Sequence, residues 1–354
     1  MTTIKLLPSF FITALLLLIT PVLADTVKLK QGHPDRHIVT KGDTLWDISA
    51  KFLESPWRWP EIWNINTDIK NPHLIYPGDI IILAFVDGKP VIKVERKKPG
   101  GRPTIKLSPQ ARASKLDEEA VPTLSSDMIK QFIKYSRIIS KREMEEAAYI
   151  VASEDGGLMS GSTDKIYARN INQQDITQYD VVRKGKIYKE EGRWNDKILG
   201  YEMLRIADAR IEQFDDPSTL LVTDASREIL IGDLLLPATF EKDLNQHYLP
   251  HSPENLIQGK IIAVLDGISR VGQFNTVVLN LGTQDNIEVG HVLAIYQSGK
   301  VVRDTVTDKW NDKITLPDIR AGTLMIVNTF ENLSYALIME ANRDIHILDA
   351  VTNP

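Results

Sequence analysis

Two short stretches hold nucleophile-type or metal-ligand-type residues at meaningful intervals. Ser162-Thr-Asp-Lys165 has the Ser-x-x-Lys interval in which a lysine amine can take the proton of a serine nucleophile. It lies in a Gly/Ser turn ahead of a strand-like run, whereas that chemistry opens a helix, and no partner motif accompanies it. His247-Tyr-Leu-Pro-His251 sets two imidazoles four residues apart, but Pro250 and Pro253 oppose the helix that would align them, and no glutamate follows the first histidine. Cysteine is absent, which excludes thiol nucleophiles, disulfides and cysteine-held zinc. The 47 acidic residues offer too many pairs for a glycan-cleaving couple to stand out. Gly156-Gly157 and Gly161 flank a turn, not the strand-to-helix junction of a phosphate loop. The sequence therefore predicts no catalytic set, no metal and no cofactor.

Recognition chemistry is concentrated elsewhere, in GDTLWDISAKFLESPWRWPEIW at 42–63, which holds Trp46, Trp57, Trp59 and Trp63. Asp43 can cap a helix whose apolar residues Leu45, Ile48 and Phe52 fall at i, i+3 and i+7. A second short helix begins near Pro60 and turns Ile62 and Ile65 inward. Strands at 37–40 and 79–85 flank the pair, the latter after a Pro77-Gly78-Asp79 turn, giving the order βααβ. Burying a tryptophan removes about 150 to 250 Å² from water. In so small a unit that favours Trp57 and Trp59 as an enlarged core or a staple between the helices, with an extended stacking platform for a ligand as the second reading. Trp46 and Trp63 lie off the apolar faces and are the candidates for a surface contact, with a ligand or with the following domains, or for a half-buried brace.

HIVTKGDTLWDISAKF, Asn66 and NPHLIYPGDIIIL together resemble the LysM peptidoglycan-binding module in order and spacing, over about 48 residues. The resemblance implies binding of N-acetylglucosamine-containing glycan in a shallow groove between two loops. It places Gly42, Asp43, Thr44 and Leu45 in the first loop and Ile69, Asn71, Pro72, Leu74 and Ile75 in the second. Exposed backbone and short polar groups would bond the acetamide and hydroxyls, while small apolar side chains would cover its methyl and ring faces. Capping of the first helix is the competing role for Asp43 and Thr44. LESPWRWPEIW departs from the family pattern by widening the connection between the helices.

The predicted class is α+β: a βααβ LysM module at 37–85, a short helical segment and two tandem mainly-β repeats. Residues 1–24 read as a signal peptide, with an apolar run from Phe10 to Ile19 and Val22-Leu23-Ala24 placed for cleavage. Residues 88–126, rich in proline, glycine and charge, read as a flexible linker, and 127–155 as helical, with Ile129, Phe132 and Ile133 on one face and a capping box from Ser140 to Glu143. WNDKI at 194–198 recurs at 310–314, and the match continues ungapped, 116 residues apart, through Phe214/Phe330, Leu221/Leu337 and Arg227/Arg343 to Asp233/Asp349. Gly185-Lys186 faces Gly299-Lys300 after a two-residue shift. The repeats thus span 156–238 and 259–354, each the size of a small barrel or sandwich. Gly232 has no counterpart in RDIHILDAVTNP, so the sequence predicts that turn chemistry differs between them.

The net charge of -5 argues against nucleic acid as a partner. The reading is an exported, periplasmic, non-enzymatic protein that holds peptidoglycan through one LysM and presents its β region to another envelope component. The alternative is a peptidoglycan hydrolase or hydrolase regulator with an unfamiliar active site.

Overall fold

The computed structural model describes residues 27–63, 75–95, 124, 136–154, 159–160, 164–172, 175–190, 196–238, 248–265, 270–304 and 313–354. None of the helices among them is long and apolar enough to cross a membrane. Helices are few and short, strands many, and the fold is mixed α and β.

The first unit holds β1 (Arg36–Ile38), α1 (Leu45–Phe52), a 3-10 turn (Pro56–Arg58), α2 (Trp59–Trp63), β2 (Ile80–Val86) and β3 (Lys89–Glu95). Leu45, Ile48 and Phe52 line one face of α1 and close a core with Trp59, Ile62, Trp63, Ile75, Ile81 and Ile92. Strand β2 lies between β1 and β3, antiparallel to both. The third strand corrects the linker expectation, which began at Gly88. Ile92 stands opposite Leu83 and is buried in the core, so burial of that alternation recruits the segment into the sheet. Of the remaining linker residues only Leu124 is described, and it is buried.

The segment predicted to be helical holds β4 (Ser136–Ile139), α3 (Lys141–Glu146) and β5 (Ala148–Ser153). Both bonds of the capping box form: Glu143 N–H donates to Ser140 Oγ at 3.2 Å, and Ser140 N–H to the Glu143 carboxylate at 2.8 Å. The helix stops at Glu146 instead of running on, because Ala148 and Ile150 face a β core. Ile129, Phe132 and Ile133 lie outside the described residues.

The rest of the chain builds two strand rings. The first uses β5 with β7 (Lys165–Arg169), β10 (Ser218–Ala225), β9 (Lys197–Gln213), β8 (Gln178–Glu190) and β12 (Leu234–Pro237), which pairs back to β5; β4 adds to β9. A short ladder of β6 (Met159–Ser160) and β11 (Ile229–Leu230) accompanies it. The second is a closed barrel of β13 (Gln258–Val264), β15 (Thr276–Leu279), β20 (Ser334–Ala341), β19 (Ile319–Thr329), β16 (Val292–Gln297) and β22 (Ala350–Thr352). Its accessory ladders are β14 (Arg270–Val271) with β21 (Ile345–His346), and β17 (Val301–Arg303) with β18 (Lys313–Thr315). Alternating apolar residues fill each ring, Ile150, Ile166, Ile206 and Leu220 in the first and Ile261, Leu279, Leu324 and Ile338 in the second.

The starts of β10 and β20, of β11 and β21, and of β12 and β22 are each 116 residues apart. The turn predicted to differ is the same in both rings. Asp233 accepts the Leu230 N–H at 2.8 Å, and Asp349 accepts the His346 N–H at 2.8 Å. Gly232 has φ +91°, and Leu348 keeps the turn at φ +74° although it has a Cβ. The aspartate bond, shared by both, holds the turn without the glycine.

Strands β8 and β9 run beyond the first ring as an arm. Its Tyr188 and Leu199 are buried with Leu333 and Tyr335 of the second barrel. Trp46 of the first unit joins this cluster, and Trp57 packs partly against it.

Candidate functional site

The first loop is a tight turn closed at both ends by Asp43. Its N–H donates to Thr40 O at 3.1 Å, and its carboxylate accepts the Thr40 N–H at 2.9 Å, with Gly42 at φ +95° between them. Only glycine takes that backbone without strain, and the open space around Gly42 leaves the main chain uncovered. His37 Nε2 lies 2.8 Å from the same Asp43 oxygen, and the Lys51 ammonium lies 3.2 Å from that ring nitrogen. Partial burial, the largest single influence, pushes the Asp43 pKa up. The Thr40 N–H, the His37 ring and the Lys51 charge together outweigh it and hold the carboxyl below its ordinary range.

Helix capping, offered by the sequence for both Asp43 and Thr44, falls to Thr44 alone. Thr44 Oγ1 accepts the Asp47 N–H at 3.1 Å and donates to the Asp47 carboxylate at 2.7 Å. Asp43 is left to shape the loop. Leu45 and Ile75 are core residues, so their side chains are turned inward, away from any surface groove. The second loop ends in a matching turn: Tyr76 N–H donates to the Asp79 carboxylate at 3.1 Å, with Gly78 at φ +95°. Gly78 N–H donates to Val39 O at 2.8 Å and Val39 N–H to Asp79 O at 2.9 Å. These bonds bring the first loop alongside Ile75 and Tyr76. Ile69, Asn71, Pro72 and Leu74 lie outside the described residues.

Trp59 is core, as expected. Trp63, read as a half-buried brace or a surface contact, is instead fully buried in the first unit's core against Trp59, the rings 6.5 Å apart and edge to face. The 3-10 turn at 56–58 advances the chain so that both rings of the short α2 point inward. Trp46 is equally buried, at 4% exposure, but belongs to the cluster that holds second-barrel residues, not to the LysM core. Trp57 stays half-buried, with the Arg58 guanidinium 5.9 Å from its ring.

The catalytic candidates gain no support. Lys165 opens β7 and its ammonium lies 3.2 Å from Glu212, which raises the amine pKa, the wrong direction for a base. Ser162 and His247 lie outside the described residues. His251, Glu288 and His291 do gather at the second barrel, a group the sequence missed because Glu288 and His291 come from a distant turn. His251 Nδ1 lies 2.9 Å from Leu249 O, which leaves Nε2 with a lone pair. His291 is set the other way: its Nδ1 accepts the Glu288 N–H at 3.1 Å, so the proton sits on Nε2, the nitrogen a metal would take. Burial first, then the charge of His251, lowers the His291 pKa from its ordinary value and so favours the neutral ring. His291 here does the work of the turn aspartates, and the group does not suit a metal.

The LysM domain family model matches residues 37–84. The uncharacterized protein YqbP of Bacillus subtilis (strain 168) is 38% identical over 58 residues, covering 14% of this chain and 26% of that protein. The chain therefore spans about a quarter of the curated relative it matches. LysM domains are non-catalytic modules typical of cell-envelope-associated proteins. Residues 37–84, with their paired Asp-closed turns and exposed loop backbone, are a LysM domain, a module that binds N-acetylglucosamine-containing glycan such as peptidoglycan.

Proposed function

We propose that this is an exported, periplasmic, non-enzymatic protein that holds peptidoglycan through its LysM domain and presents its two β units to another envelope component. The LysM domain at 37–84 carries the reading. Gly42, Asp43, Thr44 and Leu45, with Ile69, Asn71, Pro72, Leu74 and Ile75, form the glycan-contacting loops. The exposed main chain at Gly42 bonds the acetamide and hydroxyls, and the turn at 40–43 sets its direction. Export is supported by the apolar run and cleavage-type residues within 1–24. The adaptor role is supported by the size of the β region and by the burial of Trp46 in a cluster that includes residues of that region.

The test is co-sedimentation with purified insoluble peptidoglycan, beside a chain beginning at Asp127. The intact protein should pellet and the truncation stay in solution; equal pelleting of both overturns the reading. A cleared band on a peptidoglycan zymogram, lost on substitution of one carboxylate, would favour the hydrolase alternative.

A further inference from the structure

One turn recurs along the chain, with a side-chain acceptor placed three residues after the N–H that it holds. Asp79 accepts the Tyr76 N–H at 3.1 Å, and Asp233 and Asp349 accept those of Leu230 and His346 at 2.8 Å. In the turn that enters β16 the acceptor is an imidazole: His291 Nδ1 takes the Glu288 N–H at 3.1 Å. A carboxylate stays ionised down to about pH 4, whereas an imidazole takes up a second proton near about pH 6.5. The backbone N–H can neither turn away nor shed its hydrogen, so a proton on Nδ1 leaves two donors face to face. Only the neutral ring makes this bond.

A second segment lies on that turn. Residues 248–253 form a strap ahead of β13, and His251 bridges to His291 within it: the His251 N–H donates to Gly290 O at 3.1 Å, and His251 O accepts the Val292 N–H at 2.8 Å. The two rings meet edge to face, 4.7 Å apart. The fit is close, since Gly290 has φ +96° and a Cβ there would stand 2.4 Å from Leu249 O. Tyr248, at the head of the strap, is buried in the cluster that also holds Tyr188 and Leu199 of the first ring's arm and Leu333 and Tyr335 of the second barrel.

Among the described residues the charged groups that face His291 are His251 from the strap and Glu288 from its own turn. Strand β19, which bonds Gly290 and His291 through the Ile326 backbone, brings only Met325 and Ile326 there. Burial and His251 oppose a second proton on His291 and outweigh the pull of Glu288, so the ring's pKa lies below its ordinary value.

We propose that His291 is a proton-operated latch: a second proton on its ring breaks the bond to Glu288, and the turn releases the 248–253 strap from the second barrel. The latch is closed above the ordinary imidazole pKa of about 6.5, and its contribution is lost as pH falls through the lower folded value. Opening the strap frees Tyr248, so the cluster in which the first ring's arm and the second barrel meet loosens with it. The inference rests on the second barrel and is independent of the glycan reading.

Amide hydrogen exchange read by NMR tests it, on the chain from residue 25 onward, which keeps every described residue. Rates are divided by those of an unstructured chain at the same pH, so that only protection is compared. Protection at His251, Glu288 and Val292 should hold from about pH 8 to about pH 6.5 and fall at least about threefold by about pH 5, while the β15 and β20 amides keep theirs. His291→Asn supplies a neutral acceptor, as Asn275 Oδ1 does for the Gly272 N–H at 3.0 Å, and should show flat protection over this range. His346→Gln, which removes a histidine elsewhere in the barrel, should respond as the parent does. Nitrogen-15 shifts of the parent's His291 ring give a second reading: they should report the Nε2–H form at neutral pH and share one midpoint with the His251 and Val292 amides. Protection unchanged down to about pH 5, a His291→Asn chain that loses it as the parent does, or a ring midpoint apart from that of the strap amides overturns the inference.

Discussion

Two tryptophans with the same burial should fail in opposite ways when truncated. Trp59 is 1% exposed and sits in the LysM core, whereas Trp46 is buried in the cluster that includes residues of the second barrel. Truncating a buried tryptophan to alanine costs about 3 to 5 kcal/mol. A module of 48 residues has roughly 2 to 7 kcal/mol of stability in all, at about 0.05 to 0.15 kcal/mol per residue. Trp59→Ala therefore removes most of what holds the LysM together, and glycan affinity should fall with it. Trp46→Ala takes a similar sum from the seating of LysM on the barrels, so the LysM should stay folded, bind glycan within about threefold of the parent, and move as a separate body. Calorimetric titration with a chitin oligosaccharide reads the first quantity; small-angle scattering, as an increased radius of gyration, reads the second. A Trp46→Ala chain that loses glycan binding, or a Trp59→Ala chain that keeps it, refutes this division of labour.

Asp43 gives a pH signature. Its folded pKa lies below the ordinary carboxylate value, so its contribution to stability is complete above that value and is lost as pH falls through the folded one. The melting-temperature gap between the parent and Asp43→Asn should thus be constant near neutrality and close as pH falls below the ordinary carboxylate pKa of about 4; a gap that widens on acidification contradicts the assignment. Gly282→Ala should cost the second barrel about 2 to 3 kcal/mol, because a Cβ there would lie 2.5 to 2.6 Å from backbone atoms of Phe330, Glu331 and Leu333. A denaturant midpoint unchanged by that substitution would show that the 330–333 turn is not packed as described. Lys165→Met should leave glycan binding unaltered within about twofold, since the Lys165 ammonium is held in a solvent-accessible ion pair with Glu212.

The LysM was legible because its determinants are local. The glycine turn, the α1 face and the Pro-Gly-Asp turn are each set by residues within a few positions of one another. The tryptophans were not, because a five-residue helix preceded by a 3-10 turn gives no reliable face, and the cluster that buries Trp46 gathers residues up to nearly three hundred positions away. The capping box at Ser140 was read correctly as a start, yet pairing of β5 with β7 and β12 decided where the helix ends. Losing a glycine at position 348 suggested a different turn; the Asp349–His346 bond shows that one side-chain acceptor can keep a turn at the cost of backbone strain, about 1 to 2 kcal/mol for a residue other than glycine. Helix capping is shared less evenly than predicted, with Thr44 as the cap and Asp43 as the clasp of the loop.

The most direct test of the central claim is a nitrogen-15 NMR titration of the chain from residue 25 onward with a short chitin oligosaccharide. Amide shifts that saturate and cluster at 42–45 and 69–76, with the barrel amides unmoved, are the predicted result. Shifts confined to the barrels, or none at millimolar sugar, would contradict glycan binding by these loops.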